Sequence, residues 1–148
     1  MDIIFIADYF ADELLGGGEL NNDYLCDLLE EKGHSISKIK SREVSAEYIK
    51  QNGSKHFIVA NFVELPFDSY KELQKCKYII YEHDHKYAKN RNPGFYQNYI
   101  VPESELINVD FYRAATAVFC QSKLHSEILH KNTHLDNIKN LAGPIWSN

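Results

Sequence analysis

Two short segments of this chain carry the residue types best suited to chemistry. Gly16-Gly17-Gly18-Glu19 places three glycines and a carboxylate at the start of a helical apolar pattern. His83-Asp84-His85 directly follows the apolar run at residues 78–81. Glycines let a backbone approach a ligand closely, and a helix that begins there directs free N–H groups at an anion. Imidazole and carboxylate groups can donate to and accept from phosphates or sugar hydroxyls.

The glycine segment matches neither of the familiar phosphate-binding fingerprints. It lacks the third glycine of GxGxxG and the GK[ST] ending of a P-loop. Two interpretations therefore stay open. The segment either contacts a phosphate at a helix start, or it is a flexible turn in which Glu19 only complements the helix dipole.

The histidine segment opens a long connection, residues 82–102, with no clear secondary structure. Such connections are uncommon in compact domains and are often functional, which favours ligand contact over a solvated polar loop. A metal site needs a third ligand, and no other histidine or cysteine lies close in sequence, so we expect no metal. The remaining histidines are expected at the surface or in local hydrogen bonds; they are His34, His56, His125, His130 and His134.

Basic residues follow in the same connection, interspersed with aromatic ones. Lys86, Lys89 and Arg91 alternate with tyrosines and a phenylalanine. Basic and aromatic side chains together can bind phosphates, sugars or single-stranded nucleic acid. Taken singly, each charge is expected to be solvated, with the aromatic residues folding the loop back onto the domain.

These segments must be positioned by alternating strands and helices. Continuous or alternating apolar runs predict strands at residues 3–7, 35–39, 57–60, 78–81, 117–120 and 138–141. Helical spacing predicts helices between them, at about residues 18–32, 45–51, 68–76, 103–115 and 122–131, with Ser122 as an N-cap. The first helix carries the apolar stripe Leu20, Tyr24, Leu25, Leu28 and Leu29.

This alternation predicts the α/β class, as a Rossmann-like three-layer αβα domain with a mainly parallel sheet of about six strands. Ligands of open α/β sheets bind outside the carboxyl ends of the strands. The glycine segment follows the first strand and the histidine segment follows the fourth. We therefore expect both segments at the same edge of the sheet.

Composition and charge narrow the possible functions. The 148 residues, 44% of them hydrophobic, predict a single domain over residues 1–148. A net charge of −5 argues against a nucleic-acid partner. No apolar run is long enough to span a membrane, and no secretory signal is recognisable. Three widely spaced cysteines fit a reducing compartment, so a cytoplasmic location is expected.

Taken together, these segments resemble the N-terminal domain of retaining GT-B-fold glycosyltransferases of the group 1 type. The glycine segment resembles that family's GGxE element, and residues 28–36, LLEEKGHSI, resemble its entry into the second strand. His83-Asp84 stands where the family commonly has an acceptor-side histidine. Residues 117–122, AVFCQS, and 138–146, ending at Trp146, resemble its fifth strand and the approach to a second domain.

The resemblance implies an acceptor-side domain and a separate donor-binding domain that this chain lacks. Gly16, Gly17 and Gly18 would line the donor diphosphate, with Glu19 at the same helix start. His83 would orient a hydroxyl near the reacting sugar, and Asp84 and His85 are further substrate-binding candidates. The family is typically metal-independent and takes a nucleotide-sugar donor and a glycan or other acceptor.

On this basis the isolated domain is expected to be inactive, with a homodimer as one expected partner state. The alternative is a stand-alone Rossmann-like module that binds a nucleotide or a protein partner without catalysis.

Overall fold

A six-stranded parallel sheet forms the centre of the protein, a computed structural model that describes residues 1–143. The strand order is β2-β1-β3-β4-β5-β6, and every neighbouring pair runs parallel. The strands are β1 Asp2–Ala7, β2 Ser35–Lys40, β3 His56–Val59, β4 Tyr78–Glu82, β5 Ala117–Cys120 and β6 Ile138–Asn140. The predicted Rossmann-like α/β architecture is confirmed, with a sheet that is wholly parallel in the described residues.

Five α-helices connect the strands. They are α1 Gly17–Glu31, α2 Ala46–Gln51, α3 Phe67–Leu73, α4 Val109–Ala114 and α5 Lys123–Thr133. The predicted helix over 103–115 is wrong in its first half, where a 3-10 turn over Glu103–Glu105 precedes α4. Asn108 separates the two with a φ of 59°, a left-handed conformation that no α-helix continues through. The predicted approach to a second domain falls partly on residues 144–148, which lie outside the described residues.

The helices cover both faces of the sheet and bury two cores. Helices α2 to α5 pack on one face, against the side chains of Ile4, Ile6 and Ile80. Helix α1 packs on the other face, against Ile3 and Phe5. Successive residues of β1 therefore enter opposite cores, which explains why this strand is a continuous apolar run and not an alternating one. The result is the predicted three-layer arrangement.

The sheet reverses its direction of growth at β1, where β2 pairs on one side and β3 on the other. A buried carboxylate, Asp8, sits just beyond the end of β1. It accepts hydrogen bonds from the Ser41 hydroxyl and from the backbone N–H groups of Val63 and Glu64, both at 3.2 Å. Asp8 thus joins the connections that follow β1, β2 and β3.

Two observations concern the state of the cysteines and the presence of a membrane-spanning helix. All three cysteines are free, with Cys26 and Cys120 buried and Cys76 half-buried. Over residues 1–143, no helix is both long and apolar enough to cross a membrane.

Candidate functional site

The start of α1 and the end of β4 meet at the carboxyl edge of the sheet. A Cβ built on Gly18 would lie 3.5 Å from Cγ of His83. A Cβ on Gly17 would meet nothing within 4 Å, whereas one on Gly16 would collide with the Glu19 carboxylate, which folds back over it. The two segments therefore share one edge, as expected from a parallel sheet, and Gly17 faces open space.

His83 is held in one orientation by partners from two other elements. Its Nε2–H donates to Oδ1 of Asn22 on α1 at 2.6 Å, and its Nδ1 accepts from the side-chain amide of Gln121, after β5. Burial lowers the pKa of His83 to about 4, and the positive charge of Lys86 acts in the same direction. His83 is thus a neutral imidazole at pH 7 with both ring nitrogens already bonded.

His85 pairs with a histidine from a distant helix. The rings of His85 and His125, on α5, lie 4.2 Å apart between centroids. His125 Nε2–H donates to the backbone carbonyl of Asp84 at 3.1 Å, and Nδ1 of His85 lies 2.7 Å from the Tyr87 hydroxyl. Burial and, to a lesser extent, the charge interaction with His125 lower the pKa of His85 to about 4. The expectation that His125 is a surface or locally bonded residue is wrong.

Lys86 is buried beneath these histidines, with only 1% of its surface exposed. Its ammonium group binds the carboxylates of Glu82, itself fully buried, and Asp84, the latter at 2.7 Å. Burial disfavours the lysine charge, but the two carboxylates outweigh it and hold the pKa of Lys86 above its ordinary value. The prediction of a solvated charge is therefore wrong for Lys86, because a buried ammonium group requires such partners.

Asp84 is the shared member of this network. Burial opposes its ionisation, but Lys86 and Arg91 hold the pKa of its carboxyl below the ordinary value. Arg91 Nη1 lies 3.5 Å from the Asp84 carboxylate. Asp84 is therefore an ionised side chain that faces two cations, while its backbone carbonyl fixes His125.

Two asparagines of α1 complete the site, and the sequence reasoning missed both. Asn21 and Asn22 are buried at the second turn, where Asn21 accepts from the Tyr81 hydroxyl and Asn22 from His83. They lie four residues before Leu25 and Cys26, on the helix face that packs on the sheet. The spacing of four residues from Leu25 and Cys26 was the signal in the sequence that both asparagines lie on the buried face of α1. Leu20, predicted in the apolar stripe, is 47% exposed.

The donor set does not suggest a metal centre. In residues 1–143, no three or more histidine, cysteine, aspartate or glutamate side chains are arranged to hold a metal ion. Two of the histidines, His83 and His125, already use ring nitrogens in hydrogen bonds to protein groups.

Comparisons with known proteins identify the fold. No protein-family model matches the chain, and neither does any curated protein. Two solved structures of an α-glucosyltransferase align with it at 12% identity. One, in complex with UDP-glucose and DNA containing an abasic site, gives a TM-score of 0.53 over 97% of this chain and 43% of that chain. The other, in complex with UDP and a 13-mer DNA containing an HMU base, gives 0.55 over 98% and 43%.

The chain therefore spans less than half the length of these proteins. Nearly all of it is structurally similar to one half of an α-glucosyltransferase. At this identity the similarity establishes the fold, a Rossmann-like parallel sheet, and leaves the reaction open.

Proposed function

We propose that this chain is the acceptor-side domain of a glycosyltransferase that moves a sugar from a nucleotide-sugar to an acceptor. One observation carries the proposal. The glycine start of α1 lies against the neutral, fixed imidazole of His83, at the sheet edge where α/β proteins bind ligands. The structural similarity to one half of an α-glucosyltransferase that was solved with UDP-glucose supports it.

In this proposal the first turn of α1 binds the donor diphosphate. Helix α1 runs for 15 residues, and its N-cap is Gly16, which has no side chain that could cap the first N–H groups. Free N–H groups and the positive end of the helix dipole stabilise anions there. Gly16, Gly17 and Gly18 would line the diphosphate. Gly17 faces open space, whereas the Glu19 carboxylate folds over Gly16 and would have to move. The same groups would stabilise the negative charge of the leaving diphosphate without a metal.

The reaction breaks the bond between the sugar C1 and the diphosphate oxygen and forms a bond from C1 to the acceptor oxygen. The proton of the acceptor hydroxyl leaves with the diphosphate. His83, neutral at pH 7, would orient a hydroxyl once it exchanges its bond to Asn22 or to Gln121. The Glu19 carboxylate would repel a phosphate. We therefore place it against a hydroxyl group of the donor sugar, from which it can accept a hydrogen bond. Asp84 and His85 would contact the substrate from the same edge.

A donor-binding test uses the chain itself with UDP and UDP-glucose as probes, followed by titration calorimetry and by shifts in amide NMR spectra. We expect weak binding of both, with the largest shifts at residues 16–19, and no transfer by the isolated chain. Gly17→Val should remove this binding and leave the fold intact, because a Cβ there meets no atom. Gly53→Ala, at the far end of α2, is the matched control. Unchanged UDP binding by Gly17→Val would contradict the proposal.

A binding module without catalysis is the second candidate, and the bonding of His83 favours it. Both ring nitrogens are already engaged within the protein, so the imidazole would have to give up one of these bonds before it could contact a substrate. The two candidates differ in turnover. Release of UDP from UDP-glucose by the native protein, in the presence of an acceptor, supports a transferase, and stable UDP binding without release supports a binding module.

The α-glucosyltransferase structures contain DNA, but we propose a different kind of acceptor for this chain. Nucleic-acid binders present a basic surface, whereas this chain carries a net charge of −5. The partners we propose are therefore a nucleotide-sugar, a non-nucleic-acid acceptor and a donor-binding domain.

A further inference from the structure

A cavity of about 600 Å³ opens between the end of β3 and the segment that follows β4. Among residues 1–143, its lining includes the three basic side chains of Lys86, Lys89 and Arg91, and no acidic residue. This is the opposite of the whole chain, in which acidic residues outnumber basic ones by 21 to 16. The cavity is therefore a local positive site on an acidic domain.

Aromatic and aliphatic side chains form the opposite wall of this cavity. Phe62 and Tyr70 contribute rings whose centroids lie 6.4 Å apart, and Phe67 lies at the mouth with 71% of its surface exposed. The Tyr70 hydroxyl is fixed by Asn108 Oδ1 at 3.2 Å. Lys71 Nζ lies 5.5 Å from the centroid of the Phe67 ring, and much of that ring is left exposed beside Phe62 and Tyr70. The wall is thus suited to the flat face of a ligand.

Two of the three cations remain available for a ligand. Lys86 is committed to Glu82 and Asp84 at the base of the cavity. Arg91 is 53% exposed at its side chain and makes one long ion pair, at 3.5 Å. Lys89 Nζ donates to the Ser104 carbonyl at 2.8 Å, and in residues 1–143 no carboxylate lies within ion-pair distance of it. Neither exposed cation is therefore fully neutralised.

We propose that this cavity binds the acceptor, and that the acceptor is a small molecule with a ring and a phosphate or carboxylate. Lys89 and Arg91 would hold the anionic group, and the aromatic wall would hold the ring. Asp84 connects the cavity to the candidate site, because it binds Arg91 and Lys86 and is the neighbour of His83. The acceptor role rests on the proposed function, whereas binding itself does not.

In the sequence the same basic residues lie among the aromatic residues Tyr87 and Phe95, but neither of these rings lines the cavity. Tyr87 is buried in the core, and Phe95 is 76% exposed away from the cavity lining. The aromatic partners come instead from the β3–α3 connection and α3. Only the packing of β3 beside β4 brings them together.

Three probes separate the two halves of the predicted ligand: phenyl phosphate, phenol and inorganic phosphate. Each is titrated into the chain at pH 7.5 and followed by amide NMR shifts. We expect phenyl phosphate to bind about tenfold more tightly than either fragment, with shifts centred on Phe62, Tyr70 and Lys89. The double variant Lys89→Gln/Arg91→Gln should lose about tenfold in affinity for phenyl phosphate but not for phenol. These side chains are exposed, so the fold should be unaffected.

Arg113→Gln is the matched control, since Arg113 is an exposed arginine paired with Asp110 and outside the cavity lining. Equal phenyl phosphate affinity in the double variant and in this control would overturn the proposal, as would shifts centred elsewhere. Phenyl phosphate binding without any UDP binding would leave an anion cavity but remove the acceptor role. UDP binding without phenyl phosphate binding would overturn the cavity proposal alone.

Discussion

His83 shows how a titratable group is kept uncharged at the carboxyl edge of the sheet. Asn22 can only accept at Oδ1, and the Gln121 amide can only donate, so the two partners place the ring proton on Nε2. Lys86 adds a positive charge that opposes protonation. The neutral ring donates from one nitrogen and accepts at the other, so it joins α1 to the segment after β5 without carrying a charge.

The lowered pKa of His83 predicts a loss of stability in acid. The ordinary histidine pKa near 6.5 applies to the unfolded chain, which therefore binds more protons than the folded chain between pH 6.5 and about 4. The free energy of unfolding should be highest above pH 6.5 and should fall by about 3 kcal/mol towards pH 4 from His83. Urea unfolding of His83→Gln at pH 7.5 and 4.5 should show a smaller difference, whereas exposed His56→Gln should match the unmodified chain. An unchanged pH slope in His83→Gln would contradict this account.

Helix α5 links secondary structure to the site through its first turn. The Ser122 hydroxyl accepts from the backbone N–H of His125 at 3.1 Å, and the ring of the same residue, His125, lies tilted against that of His85. Helix α2 has the same kind of cap, in which Ser45 accepts from the Tyr48 N–H at 3.0 Å. Both caps are serine hydroxyls that accept from a backbone N–H, but only α5 carries a residue of the candidate site, His125.

Removing either cap should cost similar stability but only one should disturb the site. Ser122→Ala and Ser45→Ala should each lower the free energy of unfolding by about 1 kcal/mol. Only Ser122→Ala should shift the imidazole resonances of His85 and His125, because it loosens the turn that holds His125. Urea unfolding and imidazole NMR spectra of both variants measure this. Equal imidazole shifts in the Ser45→Ala protein would show that the link to α5 is absent.

On the scale of the whole molecule, the order of the strands decides which loops meet. Growth of the sheet reverses at β1, and Asp8 fills the crevice between the connections after β1, β2 and β3. The candidate site lies beside that crevice, at the start of α1 and the end of β4. The buried carboxylate therefore has a structural task, to fix three connections around the site.

Removing the Asp8 carboxylate should destabilise the whole domain. Asp8→Ala would leave the Ser41 hydroxyl and two backbone N–H groups without their acceptor, at a cost of about 3 kcal/mol. Asp8→Asn keeps one acceptor oxygen and should lose less. Asp12→Ala, an exposed aspartate in the same connection, is the control and should change the free energy of unfolding little. Equal stability of Asp8→Ala and Asp12→Ala in urea would show that the Asp8 carboxylate does not hold the three connections together.

Much of the fold follows from local patterns in the sequence. The apolar run of β1 requires cover on both faces, and β5 and the Ser122 cap are found where they were predicted. The alternation of strands and helices requires a parallel sheet, and a parallel sheet places Gly16–Gly18 and His83 on one edge. These inferences succeed because they depend on the period of hydrophobic residues and on turn chemistry, both of which are properties of neighbouring residues.

The contacts that make the site specific depend on tertiary structure. Asn22 and His83 are 61 residues apart, and His125 and Asp84 are 41 apart. The hydrophobic period predicts which face of α1 is buried, but not that the asparagines of its second turn contact the polar end of β4. Likewise, the sequence shows a lysine at 86, but only the packing of its neighbours decides that it is buried between two carboxylates. The sequence by itself therefore determined the elements and the edge at which they converge, whereas the pairing of distant side chains was decided by the order of the strands.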